Sequence, residues 1–241
     1  MGSLYVISDV HGHRDDFARG LDDAGYGDDD ELWILGDLMD RGPDGIGALD
    51  LAMSLQQQSP DRVHVLMGNH EILALGRYRF PRGKFADSWR MNGGRKRDQA
   101  RLTDEHATWL ASLPLMARLG DYLLVHSDTT EYLAWGDTTD EVNRTVAGLL
   151  ADPTDLEAHW DVWARLTDRY AFAHNDGAKV AREFLDAYGG EVVIHGHSII
   201  GTLLDIPSSQ VEQPLLYADG LALAIDGGRY DGGPLLLVRL E

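Results

Sequence analysis

The sequence contains no cysteine. That excludes disulfides, thiolate metal ligands and thiol nucleophiles, so any metal must be held by oxygen and nitrogen. Long apolar runs are missing as well; stretches such as Pro234 to Val238 are far too short to span a bilayer. From Met1 the chain passes into Leu4-Tyr5-Val6-Ile7 without a secretory pattern, which predicts a cytoplasmic protein with no membrane partner. Positive charge is scarce and lysine scarcest, with three lysines against eighteen arginines. The formal net charge of −19 argues against stable nucleic-acid binding, because a phosphate backbone would be repelled over most of the surface.

What is present suffices for one large α/β core: 241 residues, 44% of them apolar, read as a single domain over 1–241. The charge is unevenly spread. Between Arg77 and Arg101 there are nine basic residues and two acidic ones, a net of +7, while the remaining chain holds 12 basic and 38 acidic residues, a net of −26. Only that segment is suited to attracting a polyanion.

Short apolar runs at Leu4 to Ile7, Leu32 to Leu35 and Val63 to Met67 have strand length, and each stops at a polar, glycine-containing turn. Helical periodicity follows, with Phe17, Leu21 and Ala24 in one segment and Ile46, Leu49, Ala52, Met53 and Leu55 in the next. This is a βαβαβ opening, which favours a parallel sheet with ligands beyond the carboxyl ends of its strands. Two further strands, Tyr122 to Val125 and Glu191 to Ile194, also run into histidines. Less regular stretches at 78–101 and 129–188 read as a basic insertion and a helical insertion. The last part, Leu215 to Leu240, reads as antiparallel hairpins broken by Asp219-Gly220 and Gly227-Gly228.

The chemistry lies at the strand ends. Asp9 and His11 are one residue apart, so both side chains can point to one side with Gly12 turning behind them. Asp37 ends the next strand and can bridge two cations; Asn69 offers an amide oxygen after the third; His126 and His197 add imidazoles. Such a mixed oxygen and nitrogen set suits Mn²⁺, Fe or Zn²⁺. Glu71 reads as orienting the turn at Asn69. The histidines at 13, 106, 159 and 174 read as surface or capping residues.

The motifs Ser8-Asp9-Val10-His11-Gly12, Gly36-Asp37-Leu38-Met39-Asp40-Arg41-Gly42 and Gly68-Asn69-His70-Glu71 occur in that order. In these the chain resembles the phosphoprotein phosphatase family of calcineurin-like metallophosphoesterases. Shorter matches follow at Asn92-Gly93-Gly94, Val125-His126, Gly196-His197 and Ile225-Asp226-Gly227. The resemblance implies an α/β fold, a central β-sandwich of mixed sheets flanked by helices. It implies two divalent metal ions, Mn²⁺ foremost with Fe or Zn²⁺ as alternatives, one on Asp9, His11 and Asp37 and the other on Asp37, Asn69, His126 and His197. Asp40 and His70 would form an acid pair and Arg41 would hold a phosphate oxygen. Arg165 is the first match for a second phosphate-binding arginine, with Arg144 and Arg169 also open.

The implied activity is phosphoester hydrolysis by direct attack of a hydroxide held between the metals, on a phosphorylated protein or a small phosphoester. A serine/threonine protein phosphatase is the first reading. A bis(5′-nucleosyl)-tetraphosphatase is the alternative, and a non-catalytic phosphate-binding module is a third. Gly196-His197-Ser198-Ile199 lacks the second histidine that many broader metallophosphoesterases carry, as in the phosphoprotein phosphatase branch, whereas Asp128 is a departure, standing where the family usually has a glycine.

Overall fold

In a computed structural model describing residues 2–240, the opening of the chain alternates strand and helix: β1 (Leu4–Ile7), α1 (Arg14–Ala24), β2 (Glu31–Ile34), α2 (Gly45–Gln58), β3 (Val63–Val65) and α3 (Asn69–Arg79). The three strands are parallel in the order β3-β2-β1, with Tyr5 opposite Leu32 and Trp33 opposite His64. Both faces of these strands are apolar, as expected of a sheet covered on two sides. Tyr5, Ile7, Leu32 and Ile34 meet helices such as α1 through Phe17 and Leu21, whereas Val6, Trp33 and Leu35 face the other way.

What they face is a second sheet. After α4 (Lys84–Met91), α5 (Lys96–Gln99) and α6 (Asp104–Ser112), the chain forms β4 (Met116–Leu119) and β5 (Tyr122–Val125). Then come α7 (Thr139–Ala151), α8 (Leu156–Thr167), α9 (Gly177–Tyr188), β6 (Val192–His195), α10 (Ile200–Leu204), β7 (Leu215–Tyr217), β8 (Ala222–Ala224) and β9 (Leu237–Leu240). The second sheet runs β4-β5-β6-β8-β7, with β5, β6 and β8 parallel and the outer pairs antiparallel. Leu124, Ile194 and Ile225 from this side close on Val6, Trp33 and Leu35 to form the dry interior of a sandwich.

The expected C-terminal hairpins are half present. Strands β7 and β8 pair antiparallel, but β9 leaves that sheet and pairs antiparallel with β1 across the sandwich. There it covers the open edge of β1 and buries Leu240 in the inter-sheet core. The 78–101 stretch begins inside α3 and continues as α4 and α5; Phe85 of α4 packs on Gly76, where any Cβ would overlap its ring. In the 129–188 stretch, α8 lies against α3 and α9 packs behind β6. Among the described residues no helix is long and apolar enough to cross a membrane.

Candidate metal centre

The polar turns at the carboxyl ends of β1, β2, β3, β5, β6 and β8 meet at one end of the sandwich. Of the ten non-glycine residues with positive φ among the described residues, Asp9, His11, Asp37, Asp40, Arg41 and His197 belong to these turns. Left-handed backbone costs roughly 1 kcal/mol or more at each such residue, so the concentration is one the packing must enforce. The turns also approach closely. A Cβ at Gly196 would overlap Ser8 Oγ and Asp9 Oδ2, and one at Gly68 would overlap Asp37 Oδ1.

Six candidate donors named from the sequence come together here, all nearly or fully buried. Asp37 lies in the middle: Oδ2 is 3.5 Å from His11 Nε2, and Oδ1 is 3.3 Å from His126 Nε2. Asp9 Oδ1 stands 3.7 Å from His11 Nε2, and Asn69 Oδ1 lies 3.1 Å from His126 Nε2. The free ring nitrogens are set by hydrogen bonds on the opposite side of each ring. His11 Nδ1 donates to the Met39 carbonyl at 2.9 Å and His126 Nδ1 to the Leu35 carbonyl at 2.7 Å, which turns both Nε2 atoms inward. In His197 the pattern is reversed: Nε2 donates to the Thr167 carbonyl at 3.2 Å, leaving Nδ1 for the cluster.

The cluster fits divalent cations on its own chemistry. His11, Asp37 and His70 offer atoms within 4.8 Å of one another, as do Asp37, His126 and His197. Burial and the charge of Asp9 push the Asp37 carboxyl well above its usual range, while burial drives His11, His70 and His197 down. Neutral imidazoles around crowded carboxylates are the state that a cation stabilises. Asp226, at the end of β8, adds a third buried carboxylate pushed up by burial and by Asp9; its Oδ1 accepts from Gly228 N and its Oδ2 has no partner.

Behind the donors stands Glu71, fully buried. Its Oε2 accepts from Asp37 N at 2.6 Å and Gly68 N at 2.9 Å, and its Oε1 accepts from Leu38 N at 2.8 Å. One carboxylate thus fixes the backbone on which Asp37 and Asn69 ride, the orienting role read from the sequence. Thr167 does the same from the helical side, its hydroxyl accepting from Asn69 Nδ2 at 3.2 Å and its carbonyl holding His197. Thr167 and Asp226 escaped the sequence reading as site residues. For Asp226 there was a signal, an Asp-Gly at a strand end; for Thr167 there was none. Asp128 turns its carboxylate to Tyr170 N at 3.0 Å and Ser198 Oγ at 2.5 Å, a local structural use.

His70 Nδ1 is 2.8 Å from Asp40 Oδ2, and its Nε2 is buried without a partner beside the donors. Burial raises Asp40 to about 7, against hydrogen bonds from the Trp89 side chain and the Arg95 backbone. Arg41 Nη1 lies 3.2 Å from His11 Nε2, with its guanidinium 3.9 Å above the Tyr230 ring. Arg165 does not join the cluster; it is tied on α8 to Glu131 and to Asp161, the latter at 2.9 Å. Arg144 bonds the Asp140 carbonyl on α7. Arg169, just beyond α8, is the one of the three whose charge is felt at His70, His197 and Tyr230. His106 caps α6 as expected, but His159 is buried, with Arg79 Nη1 2.6 Å from its Nε2.

Two facing mixed sheets with buried aspartate, asparagine and histidine donors at their common end define a metal-dependent hydrolase. The chain belongs to the calcineurin-like phosphoesterase family, whose sequence model matches residues 2–201. It is 42% identical over 71 residues to a symmetrical bis(5′-nucleosyl)-tetraphosphatase of Buchnera aphidicola, an alignment covering 29% of this chain and 24% of that protein. To the symmetrical bis(5′-nucleosyl)-tetraphosphatase of Vibrio parahaemolyticus it is 24% identical, over 99% of this chain and 96% of the relative. Among solved structures, a cold-active protein-tyrosine phosphatase of Shewanella superposes with a TM-score of 0.71 at 21% identity, covering all of this chain and 76% of the other. The fold is therefore the metallophosphoesterase sandwich expected from the motifs.

Proposed function

We propose that this chain hydrolyses phosphoric anhydride and ester bonds of small anionic substrates, with a symmetrical dinucleoside tetraphosphate as the leading substrate. The observation that carries the hydrolytic reading is the Asp37 carboxylate, which points one oxygen at the His11 side of the cluster and the other at the His126 side. In this reading Asp9, His11 and Asp37 hold one divalent ion, and Asp37, Asn69, His126 and His197 hold the other, with Mn²⁺ the first metal to try. Two such ions would supply Lewis acidity, acidifying water as the nucleophile and offsetting charge on the phosphoryl oxygens.

The chain's own groups do the rest. Arg41, anchored over Tyr230, grips a phosphoryl oxygen, and Arg169 takes the second arginine position in place of Arg165. His70, oriented through Nδ1 by Asp40, presents the unpartnered Nε2 for proton transfer to the departing oxygen. The nucleotide preference is supported by the name of the Vibrio relative aligned over nearly its full length, and by the cationic mouth described below.

The test is a substrate panel on chelator-stripped protein reloaded with Mn²⁺: diadenosine tetraphosphate, phosphoserine, phosphothreonine and phosphotyrosine peptides, and p-nitrophenyl phosphate. The expected result is a kcat/KM for the dinucleotide at least tenfold above every peptide. Faster turnover of a phosphoserine or phosphothreonine peptide would replace this reading with a protein phosphatase, and no turnover of any ester would leave a phosphate-binding module.

A further inference from the structure

Next to the metal centre opens a cavity of about 610 Å³ whose walls include His13, Arg41, Arg95, Lys96, Arg97 and Tyr230. Four of these carry a fixed positive charge in a protein of net charge −19, and no carboxylate lines the cavity. Acidic groups flank the wall: Asp16 Oδ2 lies 3.5 Å from His13 Nδ1 and is also paired with Arg229 at 2.6 Å. Asp98 Oδ1 is 3.5 Å from Arg97 Nε, and Asp44 Oδ1 lies 3.9 Å from Arg97 but 2.9 Å from Arg101. Lys96 is solvent-exposed, and its ammonium has no intramolecular partner among the described residues. A local positive surface on an acidic molecule concentrates anions at that one place.

The wall is fastened in position. Arg41 N donates to the Gly93 carbonyl at 2.9 Å, and Arg95 Nε returns to the Arg41 carbonyl at 3.0 Å. Gly45 N donates to the buried Asp98 Oδ2 at 2.9 Å, and Arg97 bonds the Pro43 carbonyl. The basic segment is therefore stitched to the 40–45 turn that also supplies Asp40 and Arg41. Arg41 belongs to both places, since its guanidinium reaches His11 while its own turn lines the cavity. Arg41 thus joins the donor cluster to the wall that carries Arg95, Lys96 and Arg97.

We infer that this cavity is a subsite for the phosphate chain that continues from the scissile phosphate, and that Lys96 and Arg97 select polyphosphorylated substrates over monoesters. The inference rests on the hydrolytic reading of the neighbouring cluster. A phosphoserine side chain brings a single phosphate, which would leave these cations unmatched, whereas a tri- or tetraphosphate places a charge opposite each. At about 610 Å³ the space falls within the usual range of small-molecule sites. The same chain chemistry occurs in nucleoside polyphosphates and in inorganic polyphosphate, and the experiment separates them.

The test compares the unaltered Mn²⁺-loaded protein with Lys96→Ala and with Lys96→Ala/Arg97→Ala. Both side chains are exposed, and the single variant breaks no internal contact, so it guards against an effect of the Pro43 bond alone. The ratio of kcat/KM for diadenosine tetraphosphate to that for p-nitrophenyl phosphate should fall about tenfold in the double variant and about threefold in the single one, the loss lying in KM. Inhibition by inorganic tripolyphosphate should weaken by a similar factor, and the effect should shrink as salt is raised. Tripolyphosphate binding as tightly as the dinucleotide would assign the subsite to the chain alone; tighter dinucleotide binding would add a contact to the nucleoside. Ratios within twofold of the unaltered protein would overturn the inference. If the unaltered protein hydrolyses no phosphoester, the hydrolytic reading fails, and calorimetric binding of tripolyphosphate decides the subsite separately: an equal Kd in protein and double variant overturns it.

Discussion

Glu71 provides the sharpest test of how the centre is built, because replacing it sets two effects of similar size against each other. A carboxyl held at about 7 in place of its usual 4.5 carries on the order of 3 kcal/mol of burial and repulsion by Asp37, which any neutral replacement relieves. Against this stand three backbone N–H groups, at Asp37, Leu38 and Gly68, that lose their acceptor at roughly 1–3 kcal/mol each when left buried and unpaired. Glu71→Gln can keep its oxygen on the Asp37 and Gly68 amides but sets its NH₂ against Leu38 N. One lost bond then roughly cancels the relief, and stability should stay within about 1 kcal/mol of the unaltered protein. Glu71→Ala loses all three and leaves a void, so the amides win and the net cost is about 2–5 kcal/mol, or roughly 5–15 °C in Tm for a chain of this size. Because the two strand-end turns are loosened in both variants, kcat should fall about tenfold in the glutamine variant and a hundredfold or more in the alanine variant. Urea denaturation and initial rates on p-nitrophenyl phosphate measure the two quantities. An alanine variant as stable and as active as the parent would refute the reasoning.

Three other outcomes are expected. His70→Asn should slow an alkyl phosphate at least tenfold more than p-nitrophenyl phosphate, whose leaving group needs no proton; equal losses on the two substrates would remove His70 from the proton-transfer role. Arg169→Ala should cut kcat/KM for p-nitrophenyl phosphate about a hundredfold and Arg165→Ala less than threefold, and the reverse order would return Arg165 to the phosphate site. Stripping the metals should lower Tm by about 5–10 °C, since an ion present at a hundred times its Kd contributes roughly 2.7 kcal/mol; a Tm unmoved by chelator and by Mn²⁺ would argue that the cluster binds no cation.

Much of the centre is legible in the sequence because its parts are local. Asp9, His11, Asp37 and Asn69 each follow an apolar run of strand length and sit in a glycine-containing turn, so pattern and placement coincide. Other parts depend on contacts that no local pattern encodes. Thr167 meets Asn69 from 98 residues away, and nothing in the helical run around it marks that meeting. Arg165 and Arg169 look alike in sequence. What separates them is that α8 ends at Thr167: Arg165 stays on the helix, paired with Asp161 one turn earlier, whereas Arg169 lies past the end. There the chain turns at Tyr170, in left-handed backbone, and Asp128 binds that turn through both its carbonyl and its carboxylate. The departure at position 128 thus has a structural use on the loop that carries Arg169. The destination of β9 is of the same kind, since its alternation is compatible with a hairpin and only the exposed edge of β1 decides otherwise.

The two sheets divide the donors between them, and this division makes the sandwich part of the chemistry. Asp9, His11, Asp37 and Asn69 follow strands of the first sheet, whereas His126, His197 and Asp226 follow strands of the second. The separation between the two sets is therefore fixed by the packing of Val6, Trp33 and Leu35 against Leu124, Ile194 and Ile225. Polar ties cross the same seam at the working end: His126 Nδ1 donates to the Leu35 carbonyl, and His197 N donates to Asp9 Oδ2 at 2.9 Å. Close-packed interiors transmit a change of one methylene, so a core substitution far from any donor can displace one donor set relative to the other. Conversely, ions held by both sets would act as struts between the sheets. The left-handed turns and crowded carboxylates are then conformations that packing and metal binding maintain together, and neither sheet could assemble the site alone.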